Sequence, residues 1–205
     1  FINYIFKKGI YKIINMDLEI NCNNETSIDA YIRKSSNYVF IKGNIGNKKL
    51  VQKTLHKYNI EYILNLAALT FRFDLFENPI QYVENNVLNM CLFLEECRSY
   101  NKLKAFVTMS TNFINIIEAT HDNKKTHFKY FNPYTVSKSN ALDWMIYYRD
   151  IYKLPIIVLF SEAIIGKEQC IPAQLIDYLQ LLQCNKKIEI NLNDTTKINY
   201  VYVSN

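Results

Sequence analysis

Short apolar runs alternate with stretches of helical periodicity along the chain. The runs are rich in Ile, Val, Tyr and Phe, and they predict β-strands at Lys12–Met16, Tyr38–Lys42, Tyr62–Leu66, Lys104–Met109 and Pro155–Phe160. Two Asn-rich segments, Asn21–Asn24 and His121–Lys129, predict loops. Strands that alternate with helices form βαβ units, in which the strands of one sheet run parallel. The pattern therefore predicts an α/β fold around a parallel sheet.

Two longer segments have the periodicity of amphipathic helices. The first is Pro79–Cys97, where proline occupies a favourable first-turn position and apolar residues recur at steps of three and four, at Val83, Val87, Met90, Leu94 and Cys97. The second is Tyr134–Lys153, where Ala141, Met145 and Tyr148 lie on one face. Each segment therefore predicts a helix with one apolar face.

The first residues match the middle of a dinucleotide-binding unit. Such units run from a first strand through a G-x-G-x-x-G loop into a helix, and an acidic residue about 20 positions on binds the ribose. Here FINYIFKKG predicts that helix, ending at Gly9, and Asp17 follows the next strand. We therefore expect the glycine loop and first strand to precede Phe1. Without that central strand, the second and fourth strands would leave backbone groups unpaired.

Composition excludes several classes of protein. The 205 residues fit one domain, 49% of them are apolar, and the net charge of +5 is spread without a long run of one sign, which argues against nucleic-acid binding. Five cysteines form no C-x-x-C pair and three histidines do not join them at zinc-ligand spacing, so we expect no metal site. No apolar run approaches the roughly 18 to 20 residues of a membrane span, and no signal peptide opens the sequence. A cytoplasmic protein is expected.

The segment NPYTVSK carries the most specific chemistry. Tyr134 and Lys138 are four residues apart on a predicted helix and therefore share one face. An ammonium beside a phenol favours tyrosinate, which is a general base. In a chain with 16 tyrosines this spacing alone is weak evidence, because a solvated helix can produce it by chance.

Several segments in order resemble one enzyme family, the extended short-chain dehydrogenases/reductases, and most closely its nucleotide-sugar 4,6-dehydratases of the dTDP-glucose or UDP-glucose type. The matching segments are KGNI (42–45), NLAALT (65–70), ENP (77–79), ENNV (84–87), MST (109–111), NPYTVSK (132–138), LPIIV (154–158), IIGKEQCIP (164–172) and YVYVSN (200–205). The resemblance implies a Rossmann-like doubly wound parallel sheet. Residues 1–205 would form a single NAD(P)-binding domain, with its first strand, its glycine loop and most of a C-terminal substrate domain outside this sequence.

The resemblance also implies roles for individual residues. Tyr134 would be the general base, Lys138 its electrostatic partner and a ribose ligand, and Thr111 the hydroxyl that orients the sugar. The cofactor would be NAD, bound by Asp17, Asn44, Ile45, Ala67, Ala68, Tyr134 and Lys138. Asn44 stands where the family has aspartate, and its amide oxygen is expected to accept from the adenine amino group.

The sequence departs from the family pattern at substrate positions. Where the family has an acid and a base after Ser-Thr, this chain has Asn112 and Phe113, and apolar residues replace other polar groups at Leu69, Phe71, Phe73, Phe160 and Ala163. Two functions therefore stay open. One is a divergent nucleotide-sugar 4,6-dehydratase, a simpler oxidoreductase or an epimerase. The other is a non-catalytic relative that forms a homodimer, as the family does, through Pro79–Cys97 and Tyr134–Lys153.

Overall fold

The computed structural model describes residues 1–18, 28–70, 76–115, 117–118, 127–128, 132–166, 182–185, 187 and 200–203. The helices are α1 (Ile2–Lys7), α2 (Ala30–Arg33), α3 (Lys48–Tyr58), α4 (Pro79–Tyr82), α5 (Asn89–Ser99) and α6 (Pro133–Tyr152). The strands are β1 (Ile13–Asp17), β2 (Tyr38–Lys42), β3 (Tyr62–Asn65), β4 (Ala105–Thr111), β5 (Ile117–Glu118), β6 (His127–Phe128), β7 (Ile156–Ser161), β8 (Ala163–Ile165) and β9 (Tyr200–Tyr202). Each of the five predicted strands is found within two residues of its expected bounds.

The longer strands form two parallel sheets. β1 pairs with β2 in one sheet, and β3, β4 and β7 follow one another in the other. Within the described residues no ladder joins β1 to β3. These are the second and fourth strands of the predicted order. Two short pairs, antiparallel β5–β6 and parallel β8–β9, complete the described strands.

The main core lies between the three-stranded sheet and the helices α3, α5 and α6. Its members are buried and almost all apolar: Val51, Leu55, Met90, Phe93, Leu94, Cys97, Tyr100, Phe106, Ala141, Met145, Tyr148, Leu154 and Ile156. Fully burying one large apolar side chain contributes about 1.5 to 3 kcal/mol, so this layer dominates the stability of the described part. No helix among the described residues is both long and apolar enough to cross a bilayer.

The segment predicted as one regular helix at Pro79–Cys97 contains a change of winding. α4 continues into a π-helical segment at Val83–Leu88 and then into α5, which ends at Ser99. Met90, Leu94 and Cys97 are buried as predicted, but the prediction was wrong for Val83, whose side chain is 51% exposed. A π-helical turn inserts an extra residue and rotates the residues before it out of phase with those after it.

The remaining local predictions have mixed outcomes. α6 buries Ala141, Met145 and Tyr148, as expected from their spacing. The first helix ends where predicted, because Gly9 adopts a positive φ of 69° that favours glycine. The loop prediction at His121–Lys129 was wrong for His127–Phe128, which form β6 by pairing with β5, and the rest of that segment lies outside the described residues. Asn21–Asn24 also lie outside them.

Met145→Ala tests whether the α6 face holds the core together. The side chain is 0% exposed, and truncating a buried methionine typically costs about 2 to 5 kcal/mol because it leaves a cavity. The neighbouring Ile146, 36% exposed, supplies the control Ile146→Ala, for which a loss below about 1 kcal/mol is expected. Denaturant unfolding of both variants measures the difference. Equal losses would show that this face is not the packed one.

Candidate active site

The residues implied by the sequence lie where strands end. Asp17 is the last residue of β1 and Thr111 the last of β4, while Asn44 follows β2 and Ala67 follows β3. Parallel strands present their carboxyl ends at one edge of a sheet, where ligands of open α/β folds bind. The fold therefore places these residues at the carboxyl ends of the strands, where ligands of such folds bind.

The start of α6 is fixed by a capping box. The side chain of Asn132 accepts from the backbone N–H of Thr135 at 3.0 Å, and the Thr135 hydroxyl accepts from the backbone N–H of Asn132 at 3.3 Å. Pro133 occupies the first helical position, where its missing N–H costs nothing. The helix thus begins immediately before Tyr134. Tyr134 and Lys138 follow one turn apart, as the sequence predicted.

The Tyr134 phenol is hydrogen-bonded to the Thr111 hydroxyl at the end of β4. Burial raises the pKa of Tyr134 above its ordinary value, the hydrogen bond to Thr111 lowers it, and the nearby phenol of Tyr82 raises it. Burial is the largest of these effects. The structure therefore brings together two of the three implied catalytic residues, with the phenol in its neutral form favoured.

Lys138 is buried one turn further along α6. Its ammonium donates to the backbone carbonyl of Met109, in β4, at 2.7 Å. Burial lowers the pKa of Lys138. An ammonium carries three N–H donors, and within the described residues Lys138 uses one of them, toward Met109. Lys138 is therefore anchored to the same strand that carries Thr111.

Asn86 is a site residue that the sequence analysis did not single out. It lies in the π-helical segment, 3% exposed. Its amide oxygen accepts from the backbone N–H of Leu69 at 2.7 Å, and its amide nitrogen donates to the Leu69 carbonyl at 2.9 Å and to the Ser137 hydroxyl at 2.9 Å. A polar residue inside the buried stretch of a helix was the available signal, since asparagine is a poor helix former.

Two further hydrogen bonds complete this network. The Ser137 hydroxyl donates to the Tyr134 carbonyl at 2.8 Å, and the Tyr82 hydroxyl donates to the Thr70 carbonyl at 2.9 Å. The loop that carries Ala67 and Ala68 is thereby tied to the helix that carries Tyr134. The implied cofactor residues and the implied base therefore belong to one connected polar framework.

Asn44 and Ile45, in the loop after β2, both have contacts within the chain. The amide oxygen of Asn44 accepts from the backbone N–H of Gly46 at 2.7 Å, so one of its two lone pairs already serves the loop. The side chain of Ile45 packs against the hydrophobic core. Contact with an adenine would therefore fall to the second lone pair or the amino group of Asn44 and to the backbone of Ile45.

Some of the residues that depart from the family pattern lie within the described part of the structure. Asn112 is exposed at the start of the 3₁₀ turn Asn112–Asn115. Phe160 is 43% exposed and Ala163 is partly buried. The side chain of Phe113 and all of Phe71 and Phe73 lie outside the described residues. Asn112 is thus accessible beside Thr111, with an amide in place of an ionisable group.

Residues 1–204 match the model of the GDP-mannose 4,6 dehydratase family. The chain belongs to this family. It is 31% identical over 204 residues to dTDP-D-glucose 4,6-dehydratase of Dictyostelium discoideum, covering 94% of this chain and 46% of the relative. It is 24% identical to the human enzyme of the same name, covering 95% of this chain and 55% of that protein. The chain therefore spans about half the length of these relatives, and the family resemblance inferred from its motifs is confirmed.

Solved structures agree on the fold. dTDP-glucose 4,6-dehydratase of Bacillus anthracis, in complex with NAD, superposes with a TM-score of 0.79 at 24% identity, covering 99% of this chain and 63% of that one. UDP-glucuronic acid 4-epimerase of Bacillus cereus, in complex with UDP-glucuronic acid and NAD, gives a TM-score of 0.81 at 20% identity, covering 98% and 64%. The predicted Rossmann-like architecture is confirmed.

Asn86→Ala tests the polar framework of the site. The change leaves the backbone N–H and carbonyl of Leu69 without their side-chain partner. Leaving a buried polar group unpaired typically lowers the free energy of unfolding by about 1 to 3 kcal/mol. The exposed Asn140 on α6, whose amide donates only to the Val136 carbonyl of its own helix, gives the control Asn140→Ala, for which little change is expected. Thermal unfolding measures stability, and amide hydrogen exchange at Leu69 reports the loop directly. Unchanged exchange at Leu69 in Asn86→Ala would contradict the role given to Asn86.

Proposed function

We propose that residues 1–205 form one NAD-binding domain of an enzyme that oxidises a nucleotide sugar at its C4 hydroxyl, with Tyr134 as the base. The observation that carries this proposal is the hydrogen bond between the partly buried Tyr134 hydroxyl and the buried Thr111 hydroxyl. A tyrosine base and a second hydroxyl are what the removal of a proton from an alcohol requires. By the family resemblance Lys138, buried one turn away, would add the positive charge that favours tyrosinate.

The donor set of the site fits NAD. Lys138 has two N–H donors beyond the one given to Met109, which suits ribose hydroxyls. Asp17 at the end of β1 offers a carboxylate to the other ribose. Asn44 retains an amino group and one lone pair for the adenine, and Ala67, in the loop after β3, is exposed. NAD supplies, when bound, the acceptor for the hydride that leaves the sugar carbon.

Three side chains have separate roles in the proposed oxidation. The Thr111 hydroxyl orients the sugar hydroxyl toward Tyr134. Tyr134 takes the proton of that hydroxyl, and Lys138 stabilises the tyrosinate that precedes the transfer. Asn86 and Ser137 hold the loop and the helix at a fixed separation, so that the base and the cofactor residues keep one geometry.

Dehydration requires two proton-transfer groups that oxidation does not. Elimination across C5 and C6 needs one group that removes a proton and one that delivers a proton to the leaving hydroxyl. Asn112 is an amide and Phe113 is a hydrocarbon, so neither of the positions that follow Thr111 supplies an ionisable group. We propose that the reaction stops at the 4-keto sugar or returns it as an epimer.

The reaction is tested by incubating the protein with NAD and dTDP-glucose or UDP-glucose. Two products agree with the proposal: a 4-keto sugar two hydrogens lighter with one reduced cofactor per sugar, or an epimer of unchanged mass with the cofactor returned to its oxidised form. In both cases mass spectrometry should show no loss of water. Tyr134→Phe should lower the rate by about 10²- to 10⁴-fold because the base is removed. Tyr147→Phe, on the exposed side of the same helix, is the matched control and should leave the rate unchanged. A 4-keto-6-deoxy product would contradict the proposed end point, and activity in Tyr134→Phe would contradict the base.

The pH dependence of the rate gives a second test, in which two variants should shift the profile in opposite directions. The step needs tyrosinate, so the rate should rise with pH as Tyr134 ionises. The Thr111 hydrogen bond lowers the pKa of Tyr134 and the Tyr82 phenol raises it. Thr111→Val should therefore move the rise to higher pH, and Tyr82→Phe should move it to lower pH. Shifts in the same direction in both variants would contradict the assignment of Tyr134 as the titrating base.

Homodimerisation is the second candidate function, and a surface of the described helices favours it. Apolar side chains at Leu88 and Leu92, and at Trp144, Tyr147 and Ile151 on α6, are exposed. Beside them, a groove of about 360 Å³ is lined mainly by Pro79, Val83, Val87, Pro133 and Val136. We propose that two copies pair through this surface, with or without catalysis.

Sedimentation equilibrium tests the pairing. Trp144→Asp places a charge in the proposed interface and should weaken association about tenfold or more. Leu66→Asp, at another exposed apolar position, is the control and should leave association unchanged. A monomeric wild-type protein would refute the dimer.

A further inference from the structure

Asn89, the first residue of α5, carries a side-chain amide that no described residue uses. It directly follows the π-helical segment, and its backbone N–H donates to the Glu84 carbonyl. The side chain is partly buried and forms no hydrogen bond with any described residue. An amide has an oxygen that accepts and a nitrogen with two N–H donors. Within the described part of the chain, both groups of Asn89 are available to a ligand.

The Asn89 side chain lies against Gly46, in the loop after β2. A Cβ atom on Gly46 would overlap the Asn89 side-chain oxygen and would lie only 2.7 Å from its Cγ. Gly46 does not have the positive φ that favours glycine, so what excludes a side chain at this position is space. The Asn89 amide therefore occupies the place that a side chain of residue 46 would fill.

Two amides thus meet at one glycine. The oxygen of Asn44 accepts from the backbone N–H of Gly46 at 2.7 Å, and Asn89 contacts the same residue where its side chain would begin. The first amide is held in one direction by its hydrogen bond. The second is not held by any described residue and can turn to suit a bound group.

The loop that these amides share is fixed to the rest of the molecule. Ile45 packs against the hydrophobic core. Lys48, in the first turn of α3, forms an ion pair at 3.4 Å with the buried carboxylate of Glu96 on α5. Since α5 also carries Asn89, the helix and the loop keep a constant separation.

The π-helical winding sends two asparagines to two different loops. Asn86 binds the backbone of Leu69, in the loop after β3, and Asn89, three residues later, contacts Gly46, in the loop after β2. Both loops carry residues that the family resemblance assigns to the cofactor. Asn89 therefore lies beside the adenine end of the implied site.

We infer that Asn89 binds the adenine of the cofactor, with its amide oxygen accepting from the adenine amino group; this rests on the NAD-binding function proposed above. The oxygen of Asn44, which was expected to accept that hydrogen bond, already accepts from the Gly46 N–H. Adenine presents an amino donor beside a ring-nitrogen acceptor, a pattern that an asparagine amide matches. Asn89 supplies the second amide for this pattern.

Calorimetric titration of residues 1–205 with NAD tests the contact. Asn89→Ala should weaken binding about five- to tenfold, because one hydrogen bond to the base is lost. Asn37, exposed and directly before β2, lies at the opposite end of the strand that leads to Gly46. Asn37→Ala is the matched control and should leave binding within about twofold.

A change of base separates recognition from support of the loop. In nicotinamide hypoxanthine dinucleotide an oxygen replaces the adenine amino group. Asn89→Asp keeps the acceptor and removes the donor, so this ligand should lose about tenfold in affinity relative to NAD, compared with the wild-type ratio. The added charge acts on both ligands alike and cancels in the ratio. Asn37→Asp is the control and should leave the ratio unchanged.

A test without ligand checks the geometry. Gly46→Ala should lower the thermal midpoint by about 4 °C, because the new methyl group overlaps Asn89. In the Asn89→Ala background the same change should have less than half this effect, since the overlapping atoms are gone. Equal effects in the two backgrounds would overturn the inference.

The titrations distinguish this inference from the function on which it rests. Failure of the wild-type protein to bind NAD would refute the NAD-binding function and the Asn89 contact together. NAD binding that Asn89→Ala leaves unchanged would overturn the Asn89 contact alone. An unchanged ratio in Asn89→Asp would do the same, because it would show that Asn89 does not face the amino group of the base.

Discussion

The candidate site depends on the side chain of one buried amide, Asn86. Its oxygen and nitrogen satisfy both backbone groups of Leu69 and the hydroxyl of Ser137. An asparagine buried in a helix costs free energy unless its polar atoms are paired, and here the pairs cross three separate elements. The strand-end loop, the π-helical segment and α6 are consequently fixed to one another. Without this bridge, hydrophobic packing alone would align the helices but would not set the register between loop and base.

The π-helical winding is the geometric condition for that bridge. In a regular helix over the same residues, Val83 would lie on the same buried face as Met90 and Leu94. A residue other than Asn86 would then face the loop that carries Leu69. The extra residue instead exposes Val83 and buries Asn86. An apolar contact is thus exchanged for a polar one, which is a common feature of functional sites in helices. The cost is local, because the core beyond Met90 retains its regular spacing.

Much of the fold follows from the sequence because it rests on periodicity. Strands at Tyr38–Lys42 and Tyr62–Asn65 and the buried face of α6 are determined by which residues are apolar, and spacing reports that directly. The position of Tyr134 after Asn132 and Pro133 follows from capping chemistry, which is equally local. The π-helical segment, the hydrogen bonds of Asn86 and the use of Asn44 by its own loop depend on neighbours distant in sequence. No pattern along the chain encodes those contacts.

The opposing effects of burial on Tyr134 and Lys138 explain why the base needs its neighbours. Burial raises the pKa of the phenol and lowers that of the ammonium, so it favours the neutral form of both groups. A tyrosinate paired with an ammonium is the form that catalysis requires, and it must therefore be stabilised by hydrogen bonds to each charge. Thr111 supplies one to the phenolate and the Met109 carbonyl supplies one to the ammonium, both from the end of β4. The oxidation proposed above uses protein groups that this strand and α6 carry, whereas the proposal gives no proton-transfer role to Asn112 and Phe113, which follow the same strand. The proposed limit to oxidation therefore rests on two side chains directly beyond the end of β4.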